Sequence, residues 1–333
     1  MAIGIEQAMT RHQVQLQRVA GGNYRLVVPV LKEMSIDLKR MINSELDPEI
    51  LKTLRVVQAE TKQIIDATVK EMTEILEPEY EGLAVYEAGF VKSIYDAAVE
   101  VEVDSATLDK LNKAISKSRM LLYDQKGSAQ RLTINEAFKQ FNDTAIQDVN
   151  RRVLGGIGLS RTTRQIANDV YRMTNNRTQN QAEALVRTST NHVASVARES
   201  FYNENDEIIK GERYTATLDN RTSFICITND GKLFKIGEGL QTPAHWNCRS
   251  IRIAEVYTKY KIPGLVEKRS SIDGPVSTKT TYEDFLKKQD NDFQNEVLGP
   301  KRAELFREGK VKISQFTDFG RVLTIKELES KYL

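Results

Sequence analysis

The chain has 333 residues, 40% hydrophobic and 28% charged, with a formal net charge of +2. That length exceeds one ordinary core and predicts two or three domains, while the balanced composition excludes an intrinsically disordered protein. The apolar run 26–31 contains Pro29 and is far too short to span a bilayer, and Glu6, Arg11 and Arg18 interrupt the N-terminus where an export signal would lie. A soluble, unexported protein with no membrane partner is therefore expected.

The small net charge conceals a division along the chain. Residues 1–104 carry 18 acidic and 11 basic side chains, a net −7, whereas residues 151–198 carry eight arginines, no lysine and only Asp169 and Glu183, a net +6. Such asymmetry predicts two different neighbours.

From residue 1 to about 205 the pattern is helical. Leu51, Leu54, Thr61, Ile65, Thr68, Met72 and Ile75 recur at the spacing of one helix face. Asp47 is expected to cap this helix, Pro48 to occupy its first turn and Pro78 to end it. Leu83, Tyr86, Phe90, Ile94 and Ala98 predict a further helix over 81–101, and the long amphipathic helices together predict an antiparallel bundle over 1–150. Gly155-Gly156-Ile157-Gly158 is expected to break the next helix as a flexible hinge. It is not a phosphate loop, because no Gly-Lys-Ser/Thr follows and no strand precedes.

After the glycines a short helix is predicted from Ser160 to Met173 and a longer one over about 179–203, the latter carrying Arg187-Thr188-Ser189-Thr190-Asn191. Arg151, Arg152, Arg161, Arg164, Arg172, Arg177 and Arg187 have few acidic neighbours in sequence, and the guanidinium fork suits bidentate phosphate contacts. These seven are the candidate contacts to double-stranded DNA, sequence-independent and salt-sensitive, with a solvated or protein-facing role as the alternative. Tyr171 is the only aromatic residue between 151 and 200, which argues against stacking on single strands.

Residues 214–249 hold both cysteines, the only tryptophan and one of three histidines. The pattern predicts a strand over 214–226, a type I′ hairpin turn at Asp230-Gly231 and a return limb over 242–249. Asp219, Arg221, Cys226, His245, Trp246, Asn247, Cys248 and Arg249 are expected to close this limb as a structural knot, through packing of Trp246 and hydrogen bonds from Asp219, Arg221, Asn247 and Arg249. Without a secretion signal, Cys226 and Cys248 are expected as buried thiols or metal ligands rather than as a disulfide. Beyond 256, Pro263-Gly264 and residues 270–279 read as a linker. Capping boxes at Thr281/Asp284 and Thr324/Glu327 then mark a helical tail, too small for its own core and so expected to dock elsewhere. The predicted organisation is mainly α with a small α+β module: a bundle over 1–150, an arginine-rich helical and hairpin module over 151–256, and a linker and tail over 257–333.

The order Asp219-x-Arg221-Thr222-x-x-x-Cys226, Asp230-Gly231-Lys232 and Pro243-x-His245-x-Asn247-Cys248-Arg249 resembles the core of the phage head morphogenesis family typified by the F protein of phage Mu. With the preceding Arg-Thr helix, the resemblance covers roughly residues 150–255. It implies a non-enzymatic minor head protein of the virion head, assembled in the host cytoplasm. Its partners would be the portal protein, the major capsid protein or scaffold, and packaged genomic DNA, whose retention or ejection it would aid. An enzyme or toxin of nuclease or transferase type built on the same module is the alternative. Many members of that family carry Cys-x-x-Cys and His-x-x-Cys-x-Cys, a ligand supply suited to zinc. Here Ser223 and Ser250 stand at two of those positions, leaving Cys226, His245 and Cys248, with Asp219 a possible oxygen donor. A knot without cofactor is the expectation, and zinc the alternative. Asp219, Arg221, His245 and Cys248 also resemble an acid, an anion clamp, a base and a nucleophile. An activated thiolate and an oxyanion hole are not readable from sequence, so no catalytic residue is assigned.

Overall fold

The computed structural model describes residues 4–124, 126–318 and 320–333; residues 1–3, Gln125, Phe319 and the side chain of Leu51 lie outside that description. Mainly helical structure with small antiparallel sheets is what the periodicities predicted. Helix α1 spans Ile5–Glu45 and α2 spans Leu51–Asp96. Thr61, Ile65, Thr68 and Met72 are buried along one face of α2, as their spacing requires.

The predicted ends of these helices need correction. Asp47 does not cap α2: its carboxylate accepts the Glu49 N–H at 3.0 Å and its carbonyl accepts the Ile50 N–H at 3.1 Å, so 47–50 form a turn that precedes the helix. Such Asx turns compete with capping because the same oxygen serves a nearer amide. Pro78 does not end the helix either, and the helices predicted on its two sides are one. A proline removes a single hydrogen bond to the residue four back. Pro78 and Pro29 of α1 both lie on exposed positions, where water reaches the carbonyl left without a partner while the opposite face stays packed.

The chain divides into two compact units, each assembled from separated stretches, so they do not follow the sequential division at 150 and 256. One unit comprises Val19–Gly82 and Thr133–Thr190 and is helical. Within it, α4 (Ile134–Gly158) begins at a Thr133/Glu136 capping box and α5 (Thr163–Met173) at a Thr162/Gln165 box. A π-turn at Thr174–Thr178 leads into α6 (Gln179–Glu204). The glycines 155, 156 and 158 lie inside α4 and do not form a hinge. The helix stops at Gly158; two residues on, Ser160 takes a φ of 52°, its N–H donates to the Ile157 carbonyl at 2.9 Å, and Arg161 N–H donates to the Gly156 carbonyl at 3.0 Å. That pair of bonds is a Schellman motif. Gly156 serves packing: a Cβ there would stand 2.5 Å from Ile166 Cγ1 on α5.

The other unit comprises Met1–Arg18, Leu83–Leu132 and Asn191–Leu333. It contains α3 (Leu108–Lys117), the hairpin of β1 (Met120–Tyr123) with β2 (Ala129–Leu132), and a three-stranded antiparallel sheet. In that sheet β3 (Ile209–Thr215) lies between β4 (Leu233–Phe234) and β5 (Ile251–Val256). On β5 the Ala254 carbonyl accepts from Tyr95 Oη at 2.8 Å and the Arg252 carbonyl from Tyr202 Oη at 3.4 Å, so side chains occupy edge acceptors that would otherwise invite another strand. The predicted strand over 214–226 ends at Thr215. Between β3 and β4 the chain makes a long excursion through the single-turn helix α7 (Phe224–Ile227). Asp230 has no positive φ, although Gly231 does at 80°, so the type I′ turn is absent.

The predicted linker contains a hairpin, β6 (Lys268–Ser271) with β7 (Gly274–Ser277). The tail follows as α8 (Tyr282–Lys287), α9 (Asn291–Leu298), α10 (Pro300–Arg307), the β8–β9 pair (Thr317–Asp318, Arg321–Val322) and α11 (Ile325–Tyr332). Both predicted capping boxes are formed. The tail docks on its own unit: Tyr282, Phe285, Leu286, Phe306, Phe316 and Leu328 share one buried cluster with Tyr214, Cys226 and Cys248.

Candidate functional site

Ser223 begins α7 and places Cys226 within its single turn; the 242–250 loop brings His245 and Cys248 to the same point. Cys248 N–H donates to the His245 carbonyl at 3.1 Å, and Asn247 turns the chain with a φ of 60°, a conformation asparagine tolerates better than most residues. Cys226 Sγ lies 3.2 Å from His245 Nε2, 3.7 Å from Cys248 Sγ and 3.1 Å from Tyr214 Oη. The cysteines are buried and not joined in a disulfide. Burial pushes the Cys226 thiol well up. Burial acts the same way on Cys248, but its hydrogen bond with Cys226 and the adjacent His245 imidazole outweigh it and hold that thiol down.

Asp219 stands apart from this trio. Its carboxylate takes Arg249 through both Nη atoms, one at 2.9 Å, and accepts from Arg221 N–H and Thr222 Oγ1, each at 3.0 Å. Burial raises a carboxyl, yet the Arg249 bond and charge prevail, and Asp219 is held below its ordinary range. Fully committed in this way, it is not the oxygen donor to a metal that the sequence allowed. Arg221 contributes its backbone amide while its residue is exposed, and Trp246, 36% exposed, is not the packing centre of the knot. The apolar support comes instead from the tail, which carries no motif to announce it.

The donor chemistry fits a tetrahedral metal. Two sulfurs bound at about 2.3 Å to one zinc stand about 3.8 Å apart, close to the observed Sγ separation of 3.7 Å. The three donor atoms all lie within 4.8 Å of one another. Cys226, His245 and Cys248 would hold the ion, which would supply a cross-link between α7 and the 242–250 loop.

Two buried polar assemblies escaped the sequence reading. Asp230, placed there in a turn, accepts from Ala216 N–H at 2.7 Å, Tyr282 N–H at 2.6 Å and the Nη atoms of buried Arg269 at 2.9 and 3.0 Å. It thereby ties the site loop to β6 and the tail. The second assembly runs through α6. Asn191 donates to the Cys248 carbonyl at 3.0 Å and accepts from Gln13 at 3.0 Å. Gln13 accepts from Arg198 at 3.1 Å, and Arg198 pairs with Glu87 at 2.9 Å, which also holds His12. Arg198, only 1% exposed, thus belongs to the interior. The acid that pairs with it is 111 residues away, beyond any local pattern.

The seven candidate DNA-contacting arginines lie in the helical unit, and four are engaged by acids. Arg151 and Arg177 flank Asp148 at 3.6 and 3.3 Å, Arg161 pairs with Asp169, and Arg187 pairs with Glu183 at 2.7 Å. Arg152, Arg164 and Arg172 are exposed and have no ion pair among the described residues. The charge division along the sequence also disappears within this unit, whose two stretches together carry 16 basic and 17 acidic side chains.

A small antiparallel sheet and a Cys–His–Cys centre with both thiols buried mark the β-containing unit. Residues 144–253 match the family described as Phage Mu protein F like protein, in agreement with the motif resemblance. The family points to phage head morphogenesis and to association with the virion. No curated protein and no solved structure matches the chain. Among the described residues no helix is long and apolar enough to cross a membrane.

Proposed function

We propose that this chain is a non-enzymatic minor head protein, recruited during capsid assembly at or near the portal and in contact with packaged DNA. The observation that carries the reading is the match of residues 144–253 to the Mu F-like family. The site supports a structural role, because its thiols are at most 2% exposed and the nearby Asp219 carboxylate is occupied by Arg249. Its partners in this reading are the portal, the major capsid protein or scaffold, and double-stranded DNA, and its work is to aid DNA retention or ejection. Arg152, Arg164 and Arg172 are the side chains best placed for phosphate, since an arginine already neutralised by an acid releases fewer counterions on binding. The even charge of the helical unit makes this a local surface rather than a wholly basic face.

Crosslinking within purified procapsids tests the reading directly: adducts to portal or capsid protein are expected. Particles lacking the chain, or shells assembled from it alone, would overturn it. For DNA, replacing Arg152, Arg164 and Arg172 with glutamine should weaken non-specific binding and lower the log–log salt slope by about one unit for each phosphate no longer neutralised. An unchanged slope would remove DNA from the partners.

A further inference from the structure

We infer that the cleft between the start of α1, one face of β3 and β5, and the β6–β7 hairpin is a binding site for a neutral polyhydroxylated ring, a pyranose sugar. Its volume is about 480 Å³, within the roughly 300–1,000 Å³ of small-molecule sites, and its walls belong entirely to the β-containing unit. The inference does not depend on the head-protein reading.

Two buried polar atoms face each other in this cleft. Glu6, in the first turn of α1, buries Oε1 without a hydrogen-bond partner, and Arg269 of β6, 3% exposed, does the same with Nε. They stand 4.0 Å apart, beyond hydrogen-bonding distance. Arg269 is not free to close the gap, because its two Nη atoms hold Asp230, the Thr280 carbonyl and the Ala216 carbonyl. Burial outweighs the attraction of Arg269 and raises the Glu6 carboxyl to about 7, as expected where no donor reaches the oxygen. Stranded buried groups are costly, and one atom at about 2.8 Å from each would satisfy both.

Charge decides what that atom is. A ligand ammonium accepted by Glu6 would be held against the Arg269 guanidinium, and a ligand anion on Arg269 would be held against the Glu6 carboxylate. A hydroxyl meets neither repulsion, because it accepts from Nε–H and donates to Oε1 at once. The rest of the lining extends the same pairing. Arg213 is matched by Glu255 and Lys261 by Glu267 at 3.8 Å, so each cation brings an acceptor beside it, and the exposed Lys279 adds a donor at the rim. Vicinal hydroxyls, each needing a donor and an acceptor, suit such a wall, while Ile5 and Ile253 offer apolar surface to the ring C–H groups.

Saturation-transfer NMR and calorimetry of the full chain with methyl α-D-glucopyranoside, its galacto and manno isomers and maltotriose test this, at about pH 8 where Glu6 is largely ionised. At least one pyranoside is expected to bind saturably in the millimolar range. Tighter binding of maltotriose, with transfer to one end ring, would support a glycan terminus as the source, and equal binding of a methyl glycoside would support a free sugar. Glu6→Ala should weaken binding about tenfold or more, the effect of losing a hydrogen bond to a charged group, and Glu6→Gln, which keeps an acceptor oxygen, should weaken it less. Thr278→Phe, which fills the cleft from a half-buried position of its lining, should abolish it. Circular dichroism checks that each variant is folded, and Arg269 is left intact because it anchors Asp230. Absence of saturable binding by every pyranoside would overturn the inference and leave the pair to a water. Binding left unchanged by both Glu6→Ala and Thr278→Phe, or a preference for inorganic phosphate or putrescine over the sugars, would overturn it equally.

Discussion

Asp230 accepts four hydrogen bonds through two carboxylate oxygens, two from backbone amides and two from Arg269, a residue only 3% exposed. Removing one partner of a buried ion pair strands the other, which costs more than the pair itself contributes. Asp230→Ala should therefore destabilise the protein by about 3–5 kcal/mol in urea unfolding. His192 presents the converse case. Burial lowers its pKa to about 4, with the Ser118 hydroxyl 2.8 Å from Nε2, so the folded protein keeps it neutral where an unfolded chain would protonate it. Between about pH 6.5 and 4 the unfolded state binds the extra proton, and stability falls as pH falls through that window. His192→Gln should remove up to about 3 kcal/mol of that acid-side loss, seen as a flatter plot of unfolding free energy against pH.

Helices in this protein tolerate residues that ordinarily interrupt them when the interruption faces water. Pro29 and Pro78 sit at exposed positions inside α1 and α2. The glycines of α4 divide in the same way by surroundings. Gly156 admits Ile166 of α5, whereas Gly155 faces open space. Gly156→Ala is expected to destabilise by about 1–3 kcal/mol through overpacking. Gly155→Ala should stabilise by about 0.5–1 kcal/mol by limiting the unfolded chain and favouring the helix. Thermal denaturation of the two variants should move in opposite directions; a common direction would mean that packing against Ile166 is not what Gly156 serves.

The tail is an integral part of the β-containing unit. It contributes Tyr282, Phe285, Leu286, Leu305, Phe306 and Phe316 to the cluster that encloses Cys226 and Cys248, and Tyr282 N–H reaches Asp230. Ending the chain before residue 282 would expose that apolar surface and remove a donor from the hub. The shortened chain should aggregate or lose hydrogen-exchange protection in β3 and β5, whereas a tail that merely decorated the unit could be removed without either effect.

The sequence by itself determined the helical character, both tail capping boxes and the membership of the Cys226–His245–Cys248 set. Each depends on local spacing or on residue chemistry: a buried stripe repeats every three or four residues, and a thiol or imidazole keeps its donor wherever the chain carries it. Tertiary structure decided whatever depends on surroundings. Exposure let Pro78 stay within a helix, and Ile166 turned an apparent hinge into a packing contact. Asp148 and Glu183 neutralised arginines that looked unopposed, and Glu87, far off in sequence, drew Arg198 into the interior. Asp219 met Arg249 before it could meet a metal, and the tail supplied the support assigned to Trp246. A residue's partners are set by approach in space, and between distant segments that approach leaves no periodic mark in the chain.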